Sequence, residues 1–232
     1  MKQIQLLSGG AAQGLVAQLR ERFAQRQGCE VQGTFGAVGL MKDTLLAGAP
    51  CDLLVLTDAL IRQLAGEGQV QADSATPLGV VKTGVAVREG EPVPVVDTPE
   101  ALKAALQAAR GIYFPDPVKA TAGIHFMKVL KTLGLDADLA DRLHTFPNGA
   151  AAMAGLARAQ GPGMLGCTQV TEILFAPGVA LAGLLPPQFE LATVYTAAIA
   201  TRALNPSDAA AFVALMASDE AAPLRAAGGF GA

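Results

Sequence analysis

Tryptophan is absent from this sequence, tyrosine and histidine occur twice each, and only 5% of residues are aromatic although 51% are hydrophobic. The interior must therefore be built from alanine, leucine and valine, a mixture suited to helix and sheet layers. Charge is scarce and nearly balanced, 17 Lys and Arg against 20 Asp and Glu, with no basic cluster. That excludes the electrostatic footprint of a nucleic-acid binder. No apolar run reaches the roughly 18 residues of a membrane-spanning helix. The three cysteines, Cys29, Cys51 and Cys167, are odd in number and widely spaced. They read as buried free thiols in a reducing compartment, not as a disulfide framework. With His125 and His144 as the only imidazoles, no metal site is expected. The start of the chain has Lys2 but no apolar core of a leader. As it stands the chain reads as cytoplasmic, or as periplasmic if a signal peptide was removed.

Two phosphate motifs fail as well. No Gly-Lys-Ser/Thr follows a glycine loop, so a Walker phosphate loop is excluded. The dinucleotide pattern G-x-G-x-x-G is broken in Gly9-Gly10-Ala11-Ala12-Gln13-Gly14, where Ala11 replaces the glycine that lets backbone approach a pyrophosphate. Glu30 stands where a ribose-binding acid would be expected, which alone does not restore the reading. No cofactor is expected.

What is present is alternation. Ile4-Gln5-Leu6-Leu7 reads as a strand, and Leu15, Leu19 and Phe23 recur at helical spacing after it. The junction between them, Ser8 to Gly14, points backbone N–H groups and the positive end of a helix dipole at whatever fills its mouth. The theme returns at Cys29–Phe35 with the junction Gly36-Ala37-Val38-Gly39, and at Leu53–Leu56 with Thr57 as helix cap. Thr98-Pro99-Glu100 and Asn205-Pro206-Ser207-Asp208 are further helix starts, and Asn148 caps an alanine-rich helix. Gly111–Phe114 is a strand followed by Lys119, Thr121 and His125 at the start of a helix. Gly163–Cys167 is another, closed by the polar cluster Thr168-Gln169-Val170-Thr171-Glu172. Strand–helix alternation at this spacing predicts parallel sheets flanked by helices. Apolar stretches near 78–87 and 191–200 are long enough to cross between two lobes.

Several segments together resemble type II periplasmic binding proteins, in the molybdate-binding branch. The carriers are Ile4 to Ala12, Thr34-Phe35, Gly48-Ala49-Pro50-Cys51-Asp52, Asp116-Pro117 through Ala122-Gly123, and the ending Gly229-Phe230. The likeness runs over nearly the whole chain in order. It implies an α/β, two-lobed fold of mixed sheets flanked by helices, with a ligand cleft between the lobes. Residues 1–80 with 196–232 are expected to form one lobe and 81–195 the other. The resemblance implies a small anionic ligand, no nucleic acid, and an ABC permease as partner if the chain is exported.

The departures from that family restrict the ligand. Its first-lobe serine hydroxyls fall at Ala11 and around Ala37, Val38 and Gly39, and a later tyrosine falls at Gln169. A buried tetrahedral dianion would lose several hydrogen bonds of roughly 1.5–3 kcal/mol each, which disfavours molybdate. Expected binding residues are Gly9, Gly10, Ala11, Ala37, Val38, Gly39, Lys119, Thr121, Ala122, Thr168 and Gln169. A lysine with amide and hydroxyl groups suits an organic (poly)carboxylate. Two functions are implied: a solute-binding protein, or an isomerase like aconitate isomerase, which is similar to this branch. In the second, Glu172 or His125 would be the base of an allylic proton transfer.

Overall fold

The computed structural model describes residues 2–231. The chain divides into two compact units, one running to Val81 and resuming at Thr193, the other Lys82–Ala192.

The first unit opens with β1 (Lys2–Gly9), a 3-10 turn at Gly10–Ala12 and α1 (Gln13–Gln27). There follow β2 (Cys29–Gly36), α2 (Val38–Leu46), β3 (Leu53–Thr57), α3 (Asp58–Gly66) and the first part of β4 (Thr76–Arg88). β1 pairs in parallel with β2 on one side and β3 on the other, and Gly9 is the register partner of Gly36. All five residues of β3 are buried, as a fully covered parallel strand requires. Leu15, Leu19 and Phe23 line the inward face of α1, and Gly28 ends it in the left-handed conformation. Cys29 and Cys51 are buried free thiols of this unit.

The second unit contains the rest of β4, then α4 (Pro99–Ala108), β5 (Gly111–Pro115), α5 (Thr121–Thr132), β6 (Leu143–Phe146) and α6 (Gly149–Arg158). β7 (Met164–Gln169), α7 (Val170–Phe175) and β8 (Val179–Leu184) complete it. Its sheet runs β4-β7-β5-β6, with β5 parallel to both β6 and β7, while β7 and β8 pair antiparallel to β4. Leu102, Leu106, Phe126 and Leu130 cover one face with α4 and α5. Met153, Leu156 and Ile173 cover the other with α6 and α7.

The chain returns through β9 (Ala192–Ile199), which pairs antiparallel to β3, and closes with α8 (Pro206–Ala217), α9 (Ala222–Ala227) and β10 (Phe230–Gly231), paired to Val80-Val81 of β4. Two local expectations change. β6 is a strand where none was read. The cluster after Cys167 finishes β7 and opens α7. The inward face of α5 is Phe126, Val129 and Leu130.

Candidate functional site

In both units the carboxyl ends of neighbouring parallel strands lead directly into helices. Such ends are where open α/β sheets hold ligands, because helix N–H groups and dipoles converge there. Each unit is described by itself.

In the first unit the register sets Gly9 beside Gly36, and the loops after them carry the six expected residues Gly9, Gly10, Ala11, Ala37, Val38 and Gly39 together. No side chain caps the Gly10–Ala12 turn or α2. The backbone here is therefore capped by no side-chain acceptor of its own. Neither loop contains a hydroxyl. The adjacent Ser8 is fully buried and donates its hydroxyl to the Gly9 carbonyl at 2.8 Å. A Cβ on Gly9 would lie 2.7 Å from Val38 Cγ1 and 3.0 Å from Tyr195 Cε1, so the tyrosine ring and Val38 close against this glycine. Tyr195 packs in the core, 2% exposed.

The third helix of this edge behaves differently. Thr57 precedes α3, but its side chain makes no capping bond. Instead Asp58 stands in the first turn, accepting from Thr196 Oγ1 at 3.2 Å and pairing with Arg62 at 2.7 Å. An acid already occupies the positive end of α3. At the other two strand ends of this unit, the Gly10–Ala12 turn and α2 have no acid in the first turn.

In the second unit, Asp116 Oδ1 accepts the N–H groups of Val118 and Lys119 at 2.7 and 3.0 Å, which shapes the turn into α5. Gly123 is required by close approach: a Cβ there would sit 2.2 Å from the Pro115 carbonyl and 2.3 Å from that of Asp116. No side chain caps α5, so Thr121 and Ala122 stand at an open helix start with the exposed Lys119 just ahead of them. His125 sits one turn further in. Its Nε2 donates to the Phe189 carbonyl at 2.8 Å, so that nitrogen carries a proton and is committed.

Thr168 and Gln169 end β7, the strand beside β5, and are buried. Thr168 Oγ1 donates to Glu172 Oε2 at 2.5 Å. Glu172 is buried as well, 7% exposed, and burial raises its proton affinity. Hydrogen bonds from Thr168 and from the N–H groups of Gln169, Ala150 and Gly149 act in the opposite sense. Sequence reading missed Thr83, the register partner of Gln169 on β4. The hydroxyls of Thr83 and Thr171 are buried with no hydrogen-bond partner among the described residues. The available signal was Lys82-Thr83, a polar break inside the apolar run of β4.

Two sets of strand-end loops, one almost bare of side-chain donors and one rich in them, sit on the fold of a solute-binding protein of the type II periplasmic-binding-protein class. The chain belongs to the bacterial extracellular solute-binding protein family, whose model matches residues 4–231. It is similar to aconitate isomerase of Pseudomonas sp., 27% identical over 225 residues that cover 94% of this chain and 83% of that protein. In fold it resembles the periplasmic molybdate-binding protein of Azotobacter vinelandii, with TM-score 0.82, 20% identity and 98% of each chain covered. A sulfate-binding protein of Mycobacterium tuberculosis superposes with TM-score 0.74 at 17% identity, covering 99% of this chain and 86% of that one. Among the described residues no helix is long and apolar enough to cross a membrane.

Proposed function

We propose that the solute is a small organic carboxylate with more than one acidic group, and that the protein delivers it to an ABC importer from outside the cytoplasmic membrane. The observation carrying this reading is the contrast between the two strand-end sets. Gly9–Ala11 and Ala37–Gly39 offer backbone N–H groups without hydroxyls, while the second unit adds Lys119, Thr121, Thr168 and Gln169. A tetrahedral dianion concentrates its charge on four oxygens and needs many donors around one centre. A polycarboxylate spreads its charge, and each carboxylate is served by two or three N–H groups or by one lysine.

A second reading, an isomerase, is favoured by the 27% identity to aconitate isomerase. A base would take the proton from one carbon of an allylic system and return it to the other, with no other reactant. Glu172 is the better placed of the two residues considered, since its proton affinity is raised while His125 Nε2 is bonded to Phe189.

Thermal-shift measurements with citrate, aconitate, molybdate and sulfate, paired with a cis-to-trans aconitate assay, separate these readings. Stabilisation by a carboxylate without turnover supports the receptor. Turnover that Glu172→Gln abolishes while aconitate still stabilises the variant supports the isomerase. Stabilisation by molybdate or sulfate alone refutes both.

A further inference from the structure

Four donors converge on one carboxylate at the turn from β7 into α7. They are the Thr168 hydroxyl, at 2.5 Å from Oε2 of Glu172, and the N–H groups of Gln169, Gly149 and Ala150. An ionised carboxylate has about four lone-pair sites, so Glu172 is saturated. It also completes the capping of α6. Glu172 takes the first two N–H groups, the Asn148 side chain takes that of Ala151 at 2.8 Å, and the Asn148 carbonyl takes that of Ala152 at 3.0 Å. Room for this is made by Gly149, where a Cβ would lie 1.9 Å from Glu172 Oε2 and 2.2 Å from Thr168 Oγ1.

When the carboxylate is ionised, its charge is held by dipoles alone. No basic side chain acts on it, and only burial and hydrogen bonds set its proton affinity. The titratable groups on the surrounding elements are Cys167 on β7, Tyr113 on β5, His144 on β6, Arg158 at the far end of α6, and Lys82 and Arg88 on β4. Asp116, Lys119 and His125 belong to the α5 start, and α7 and β8 carry no other. Lys82 is engaged by Glu190 at 2.6 Å and Arg88 by Glu91. Thr168 and Gln169, which bond Glu172 directly, are also residues of the solute reading above. An anion held there is one hydrogen bond removed from a buried negative charge, in surroundings that screen it poorly.

We propose that Glu172 takes up a proton when the anionic solute binds, so that affinity depends on pH through this residue. The inference rests on the anion-binding reading. The proton comes from solvent and adds to Oε2. The Thr168 bond then reverses: the new carboxyl O–H donates to Thr168 Oγ1, and the threonine hydroxyl hydrogen is released to another acceptor, the solute. One buried acceptor becomes a donor relay, and the repulsion is removed. The unpartnered buried hydroxyls of Thr83 and Thr171 flank the same turn, so the corner holds more donors than the protein fills.

Calorimetric titration of the full chain with trans-aconitate, in two buffers of different ionisation enthalpy at one pH, counts the protons taken up. The wild type should take up close to one proton more than Glu172→Gln, and its affinity should weaken toward tenfold per pH unit above the titration range of Glu172. Equal proton counts in the two proteins overturn the inference and leave the binding reading intact. Absence of binding by aconitate and citrate alike refutes that reading, and this inference with it. Should Glu172→Gln fail to fold, an infrared difference spectrum of the wild type decides. A protonated-carboxyl band gained on binding supports the proposal, and no gain overturns it.

Discussion

Asp52 and Gly123 show what a single residue does here. Asp52 is 3% exposed and accepts three backbone N–H groups, from Gln5 at 2.8 Å and from Leu204 and Asn205 at 2.7 and 2.8 Å. It thereby anchors the turn that leads into α8, which has no side-chain cap; Asn205, read from the sequence as that cap, instead donates its side-chain amide to the Gln3 carbonyl at 3.0 Å. Both residues lie in motifs that were legible as motifs. Their reasons were not, because a carboxylate 152 residues from the backbone it anchors leaves no local pattern. Gly123→Ala should destabilise by about 2–4 kcal/mol, since the new methyl meets fixed backbone carbonyls. Gly66→Ala, at a helix end where the methyl meets nothing within 4 Å, should be neutral or stabilising by about 0.5–1 kcal/mol. Urea midpoints of the two variants check the contrast. Glu172 carries a prediction about pH. Burial raises its proton affinity, so the folded chain holds a proton that the unfolded chain has already lost. Its contribution to stability is therefore fully present below the ordinary carboxylate range, and it declines as pH rises through the raised value. Denaturation of wild type and Glu172→Gln across that range should show a decline with pH in the wild type that the variant lacks.

At the scale of elements, fully buried or strictly alternating strands were readable, and half-exposed ones were not. β3, with every residue buried, and β2, with Cys29 and Val31 inward, announce themselves through composition and period. β6 did not, because Leu143–Phe146 is a four-residue edge strand with His144 and Thr145 exposed. α7 was hidden for a different reason. Its first turn buries the polar Thr171 and Glu172 beside Val170, so it carries no apolar period by which a helix could be read. Helix starts divide by task. Thr98 and Asn148 cap α4 and α6 with side-chain bonds at 3.1 and 2.8 Å, whereas α2 and α5 at the candidate sites have no side-chain cap. Asn148→Ala should accordingly cost about 1 kcal/mol, the ordinary value of a lost helix cap. A thermal melt would show it as a lowered Tm. An unchanged Tm would mean that Glu172 alone suffices to close the start of α6.

For the whole molecule, the order of segments from Ile4 to Phe230 carried the family, and the match over residues 4–231 agrees with it. Strand–helix alternation is a global property that survives at 20% identity to the molybdate-binding protein of Azotobacter vinelandii. Solute identity is not such a property. In the proposed site it would depend on a few side chains at strand ends, where Ala11 and Val38 bring no hydroxyl and where Lys119 and Gln169 stand. The claim that the solute is a polycarboxylate meets its most direct test in isothermal calorimetry of the wild type and Lys119→Ala against aconitate, citrate, molybdate and sulfate. The account predicts that a carboxylate binds and that Lys119→Ala weakens it about tenfold, roughly 1.5 kcal/mol for a charge-assisted hydrogen bond. Tight molybdate binding, indifferent to Lys119 and with no heat from either carboxylate, would contradict it.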